Sequence, residues 1–292
     1  MGTLQKHFLA AACLLTLFAL QAAAADRPQI KPGFNLFSRQ QDVDLGRQAA
    51  AQTDRQLPIV GDAFLENYIN RLGRRLASYS QAPDFPYTFK VVRDKNINAF
   101  ALPGGPVYVN TGTIAAADNE AELAGVLAHE ISHVALRHAT NNASKAMLAQ
   151  FPLAILGGMT RSGSALSQLA RMGVGFGANS VLLKYSRTAE QQADLEAARI
   201  MYDAGYNPDL MAVFFQKLEE KDRGGSIQFL SDHPNPGNRI QAVRQEEARL
   251  GPPKPWVNDT EDFQQAKELV SSINQQGGPS RQSGSGRPAP RR

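Results

Sequence analysis

Leu127-Ala128-His129-Glu130-Ile131-Ser132-His133-Val134 sets two histidines four residues apart with a glutamate beside the first. On a helix advancing about 100° and 1.5 Å per residue, His129 and His133 stand about 40° and one turn apart, so both imidazoles reach one ion. Glu130 falls at the edge of the same face. Zinc in hydrolytic sites takes three protein ligands at roughly 2.0–2.2 Å and keeps a fourth position for water, whose pKa falls toward about 7. A carboxylate beside that water can take its proton and hand it to a leaving amine. The pattern HExxH also arises by accident on polar helix faces. Here Leu123, Val126, Leu127, Ile131, Val134 and Leu136 make the segment apolar almost all round, so its polar groups are expected to be buried and to need partners.

A third ligand has to come from another part of the chain. Ser186-Arg187-Thr188-Ala189-Glu190-Gln191-Gln192-Ala193-Asp194 puts Glu190 and Asp194 on one helix face. Glu190 can complete a two-His, one-Glu site, and Asp194, one turn on, can accept the free N–H of a ligand imidazole and fix its tautomer. Without the histidine pair, such an acidic pair reads as a solvated helix face.

The run Asn96-Ile97-Asn98-Ala99-Phe100-Ala101-Leu102-Pro103-Gly104-Gly105-Pro106-Val107-Tyr108-Val109-Asn110-Thr111-Gly112, the run from Glu120 through His133 to Arg137-His138, and Tyr185-Ser186-Arg187 through Asp194 occur in that order. Together these blocks resemble metallopeptidase family 48, the family of the C-a-a-X prenyl-protein proteases, over most of the chain beyond its first 25 residues. The resemblance implies an α+β, predominantly helical fold: a gluzincin-type zinc peptidase domain with a small β-sheet beside the HExxH helix. It implies one zinc per chain held by His129, His133 and Glu190, with Glu130 as general base and Asp194 as partner of a ligand histidine. Where the family typically reads ExEAD, Gln192 replaces the second glutamate, a departure that touches neither the implied ligands nor Asp194. Asn98 and Ala99 lie in the block that, in the family, presents an edge strand to an extended peptide. Ser231-Asp232-His233-Pro234-Asn235-Pro236-Gly237-Asn238-Arg239-Ile240 resembles the family's later His-Pro block. There the histidine can approach and block the zinc, and an arginine six residues on, Arg239 here, lies near the site. Either can serve instead as oxyanion donor. The competing reading of His233 is a turn residue before proline. His138, five residues past His133 and so about 140° round a continuing helix, is expected to be structural or at the surface, not a ligand.

Residues 1–25 have the parts of a secretory leader: Lys6, an apolar run from Phe8 to Leu20, and Ala22 to Ala25 before Asp26. The run is too short to span a bilayer comfortably. Cys13, the one cysteine, lies within it, so the chain beyond has no thiol, and a metal must be held by nitrogen and oxygen. The net charge of +4 arises from the ends: Lys6 in the leader, and Arg281, Arg287, Arg291 and Arg292 in a Gly/Ser/Pro/Arg tail over 278–292. The near-neutral body lacks the basic face that nucleic acid requires, and the tail, expected to be disordered, leaves room for peripheral membrane contact. Between leader and tail, 26–251 reads as the peptidase domain and 252–277 as an extension with a short helix, about 261–275.

Periodicity marks helices near 38–55 and 62–80, opened by Ser38 and Gly61-Asp62. Strands are expected at Phe85 to Val92 and, after the Pro103-Gly104-Gly105 turn, at Val107-Tyr108-Val109. Asp118-Asn119-Glu120 caps the catalytic helix, and Pro236 to Leu250 reads as another helix. The apolar, glycine-rich stretch 141–185 is interrupted by Arg161 and Arg171, so it suits a mobile pair of helices over the cleft better than a membrane span. Gly173-Val174-Gly175-Phe176-Gly177-Ala178 follows a helical pattern, not a strand, and so fails as a dinucleotide site. No 34-residue helical repeat is present.

The expectation is a soluble, exported, periplasmic or membrane-associated zinc endopeptidase acting on unfolded or misassembled envelope proteins in quality control. Two rivals stand beside it: a chaperone-like binder of unfolded chains with latent activity, and a membrane-embedded prenyl-protein protease. The sequence carries no signal of oligomeric state.

Overall fold

The computed structural model describes residues 27–150, 183–222, 225–235 and 237–276. Helix α1 (Arg39–Gln56) opens with a capping box, in which Ser38 takes the Gln41 N–H and Gln41 returns to the Ser38 amide. Helix α2 (Ala63–Ala77) is capped by the Asp62 carboxylate and buries Leu65, Ile69, Leu72 and Leu76, the i, i+4, i+7, i+11 stripe of a one-faced helix. Three strands follow: β1 (Thr88–Val92), β2 (Ala99–Ala101) and β3 (Pro106–Asn110). Their order is β1-β3-β2, with β3 parallel to β1 and antiparallel to β2. The β2–β3 turn runs through Gly104 and Gly105 at φ 70° and 135°, values that side chains with a Cβ rarely adopt.

Alternation along the strands separates two cores. Phe89, Val91, Ala99, Ala101, Val107 and Val109 face the main core, whereas Val92, Phe100 and Tyr108 face a smaller one with Phe37, Leu45, Met147 and Tyr185. After α3 (Thr111–Ala116), helix α4 (Glu120–Ala135) runs through the main core with all of its residues buried. Burying an aliphatic side chain such as Leu123, Leu127 or Ile131 stabilises by roughly 1.5–3 kcal/mol, which lets α4 carry polar groups on the same turns. Helix α5 (His138–Gln150) follows after Leu136 and Arg137. The second half supplies α6 (Arg187–Ala204), α7 (Asp209–Lys221), α8 (Gln228–Asp232), α9 (Arg239–Leu250) and α10 (Glu261–Gln276). Helix α4 packs on α6, α7, α2 and β2, and α9 packs on α6 and α7.

The fold is the expected helical α+β with a small sheet beside the HExxH helix. The first strand starts at Thr88, not Phe85, since Pro86 has no N–H to give a ladder. The C-terminal helix α10 sends Phe263, Ala266, Val270 and Ile273 into the main core. The leader, the Arg-bearing tail and residues 151–182 of the expected lid lie outside the described residues; 141–150 belong to α5. Among the described residues, no helix is long and apolar enough to cross a membrane.

Candidate metal centre

Three local structures aim the site. Helix α4, capped by Asn119, carries His129, Glu130 and His133. Helix α6, whose Ser186 cap accepts the Ala189 N–H, carries Glu190 and Asp194. His233 ends α8, its N–H bonded to the Phe229 carbonyl at 2.8 Å. Pro234 disfavours helical backbone at His233, so the residue is at once the turn before proline and a member of the site.

Four donors converge. Nε2 of His129 lies 3.0 Å from Nε2 of His133, 3.3 Å from Nδ1 of His233 and 3.2 Å from a Glu190 oxygen. Glu190 Oε1 is 3.2 Å from His233 Nδ1 and 3.5 Å from His133 Nε2. Donors held roughly 2.0–2.2 Å from a central ion at tetrahedral angles stand about 3.3–3.6 Å apart, so the spacing suits a zinc-sized cation. The donor chemistry agrees, because imidazole nitrogens and a carboxylate oxygen are the donors that zinc takes where no thiolate is present. The set of His129, His133, Glu190 and His233, all buried, can hold a metal ion.

Around the donors, polar partners fix orientation. Asp194 Oδ1 lies 3.1 Å from His129 Nδ1, at an angle short of a formed hydrogen bond in this conformation. Arg239 donates from Nε to Asp194 at 2.7 Å and from a terminal nitrogen to Glu190 at 3.1 Å, with its guanidinium over the Phe215 ring. Those two donors are committed to the carboxylates, while Nη1 is buried without a hydrogen-bond partner among the described residues. Aromatic rings line the rest: Tyr185 stacks on His133 at 3.9 Å, and Phe229 on His233 at 4.6 Å.

Glu130 is fully buried, and neither carboxylate oxygen has a hydrogen-bond partner among the described residues. His233 Nε2 stands 3.4 Å from Oε1. Burial pushes the Glu130 carboxyl up to about 8, only partly opposed by His233. Burial would also raise Glu190, but His233, His129 and His133 hold it well below its usual range. Burial keeps His133 neutral and pulls His138 down to about 4.

Asn98 and Ala99 lie at the sheet edge nearest α4. Asn98 gives its carbonyl to Asn110 and Leu102 gives its amide to Pro106, so the polar backbone of Ala99 and Ala101 points away from β3. That edge is covered here: Ala99 to Ala101 are buried, Phe229 N–H bonds the Ile97 carbonyl, and Asn98 Nδ2 lies 3.5 Å from Asp232.

His138 stands outside the four-donor set, in the structural and not the surface place of the two expected for it, but closer to His133 than a continuing helix would bring it. It is buried, with Nδ1 2.9 Å from Nδ1 of His133. The 140° argument assumed a continuous helix, but α4 ends at Ala135 and Arg137 takes a left-handed φ of 58°, which swings His138 back against His133. Sequence reasoning also passed over Phe215 and Phe229 as lining, and quoted Tyr185 without giving it a place; adjacency to Ser186 was the one available signal for Tyr185.

A helical α+β domain in which an HExxH helix meets a glutamate from a second helix has the build of a metallopeptidase. Residues 64–247 match the model of Peptidase family M48, and the chain belongs to that family. It is 31% identical over 237 residues to the Beta-barrel assembly-enhancing protease of Escherichia coli (strain K12), covering 78% of this chain and 47% of that protein. The protein of the same name from Yersinia pestis is 33% identical over 222 residues, covering 73% and 45%. The Mitochondrial metalloendopeptidase OMA1 of Schizosaccharomyces pombe is 31% identical over 194 residues, covering 66% and 55%. The chain thus spans about half the length of the curated relatives it matches. Zinc is the metal of this family, and the donor chemistry here fits it.

Proposed function

We propose that this chain is a zinc metalloendopeptidase that hydrolyses peptide bonds of unfolded or misassembled envelope proteins after export. The observation that carries the reading is the donor set: His129, His133 and Glu190, from two helices, converge at 3.0–3.5 Å beside a buried Glu130. In this reading those three residues hold the metal, Asp194 orients His129, and Arg239 braces Glu190 and Asp194. Zinc, when bound, supplies Lewis-acid chemistry, polarising a peptide carbonyl and lowering the pKa of a water. Glu130 takes the proton of the attacking water and returns it to the leaving amine nitrogen. Ala99 and Ala101 offer edge-strand amides and carbonyls to an extended substrate, which asks little of its sequence. The leader-like residues 1–25 support export, and the name of the bacterial relatives supports β-barrel proteins in assembly as the substrate class.

Gel cleavage of unfolded casein tests this. The parent is expected to cleave, and Glu130→Gln to lose roughly 10²–10⁴-fold in rate while keeping zinc and casein binding. A zinc-loaded parent that never cleaves, with or without His233, overturns the reading.

One observation favours a second reading, a chaperone-like binder with latent protease activity. His233 Nδ1 completes a closed four-donor set, whereas catalytic zinc sites keep one position open, and the Phe229 N–H of α8 is bonded to the Ile97 carbonyl just before β2. In that reading the parent binds casein intact and His233→Ala releases cleavage.

A further inference from the structure

His133 presents Nε2 to the donor cluster, so the proton of its neutral ring sits on Nδ1, 2.9 Å from Nδ1 of His138. A bond between two ring nitrogens needs one donor and one acceptor. With His133 donating, His138 accepts at Nδ1 and carries its proton on Nε2, which stands 3.3 Å from Oε1 of Gln192. A carboxamide oxygen only accepts, so each role in this short chain follows from the one before it.

We infer that His138 and Gln192 are positioning residues that fix His133 as its Nδ1–H tautomer and aim its Nε2 lone pair at the metal. This rests on the zinc-site reading above. The stacked Tyr185 ring, 14° from parallel, sets the plane of His133 but cannot distinguish the ring from its 180° flip. The flip would put a carbon where Nε2 faces the metal, and a hydrogen bond at Nδ1 discriminates against it before the metal arrives. The backbone is built for the contact: Arg137 holds its left-handed conformation by bonds to Asp42 and the Phe37 carbonyl, both 2.5 Å. A non-glycine residue keeps that conformation only where its surroundings hold it there, and here it brings His138 under His133. The two ligand histidines are therefore oriented by different chemistry, His129 by a carboxylate braced by arginine and His133 by a neutral imidazole backed by an amide.

Zinc affinity by chelator competition on the full chain tests this, with His138→Asn, His138→Leu and Gln192→Met beside the parent. Asparagine puts Oδ1 near the place of His138 Nδ1 and keeps an acceptor, so its affinity is expected within a few-fold of the parent. Leucine removes the acceptor and is expected to weaken zinc roughly 10–100-fold, with Gln192→Met between the two. A packing role alone would reverse the order of the first two, because leucine suits a buried site better than asparagine. His138→Leu with parental affinity, or equal losses in Asn and Leu, overturns the inference while leaving the zinc site standing. Should His138→Leu not fold, Gln192→Met at a partly exposed helix position decides, and unchanged affinity there overturns it. A parent that binds no zinc overturns the site reading and this inference together.

Discussion

Glu130 and the residues beside it show how much a single pattern encodes. The histidine spacing and the apolar surroundings already required a buried polar cluster on one helix, and the structure brings Glu190, Asp194, His233 and Arg239 to it. What the spacing could not show was His138, because its place depends on the left-handed Arg137 and on contacts with Asp42, 95 residues away in sequence. Glu130 also carries a pH signature. With its carboxyl raised from 4.5 to about 8 by burial, the folded metal-free protein keeps a proton that the unfolded chain releases. This stabilisation is fully present below about pH 4.5 and is lost as pH rises through about 8. Melting metal-free parent and Glu130→Gln at pH 5 and pH 9 should show the parent falling behind by on the order of a few kcal/mol at the higher pH. Parallel melting curves would contradict the burial account.

At the scale of elements, the helices with a clear cap and stripe were legible: α1 from Ser38, α2 from Asp62, α4 from Asn119, α10 near 261. Strand β2 was not separated from its block, because Ala99-Phe100-Ala101 is short and alanine has little strand preference. Its place is set by pairing with β3 and by α4 beneath it. Helix α7 likewise went unmarked, although it makes one wall of the site through Phe215. Its approach to α4 depends on Gly125, where an added Cβ would come within 2.6 Å of the Met211 Cβ and 2.9 Å of its Cα. Gly125→Ala should therefore push α7 from α4 and lower stability by about 1–3 kcal/mol, read by urea denaturation. An unchanged midpoint would mean that the two helices are not in this contact.

Across the whole molecule, the donors belong to distant parts of the chain: His129 and His233 are 104 residues apart, and His233 and Glu190 are 43 apart. The site exists only when the folded core is assembled. Helix α10 belongs to that core and is tied to the start of α4, where Glu120 accepts from Tyr68, Tyr206 and Thr260 and where the Ala121 amide bonds the Asn258 carbonyl. Ending the chain after Gly251 would expose the partners of Phe263, Val270 and Ile273, each worth roughly 1.5–3 kcal/mol, against a net stability of about 5–15 kcal/mol for an ordinary domain. The truncated chain is expected to lose cooperative melting and zinc binding together, and retention of both would show that α10 is dispensable. The central claim is that His129, His133 and Glu190 form one metal centre, and metal analysis of the purified protein tests it most directly. The prediction is one zinc per chain in the parent and in Glu130→Gln, lost in His133→Ala and in Glu190→Ala. A parent without zinc, or a Glu190→Ala protein that keeps it in full, would contradict the account.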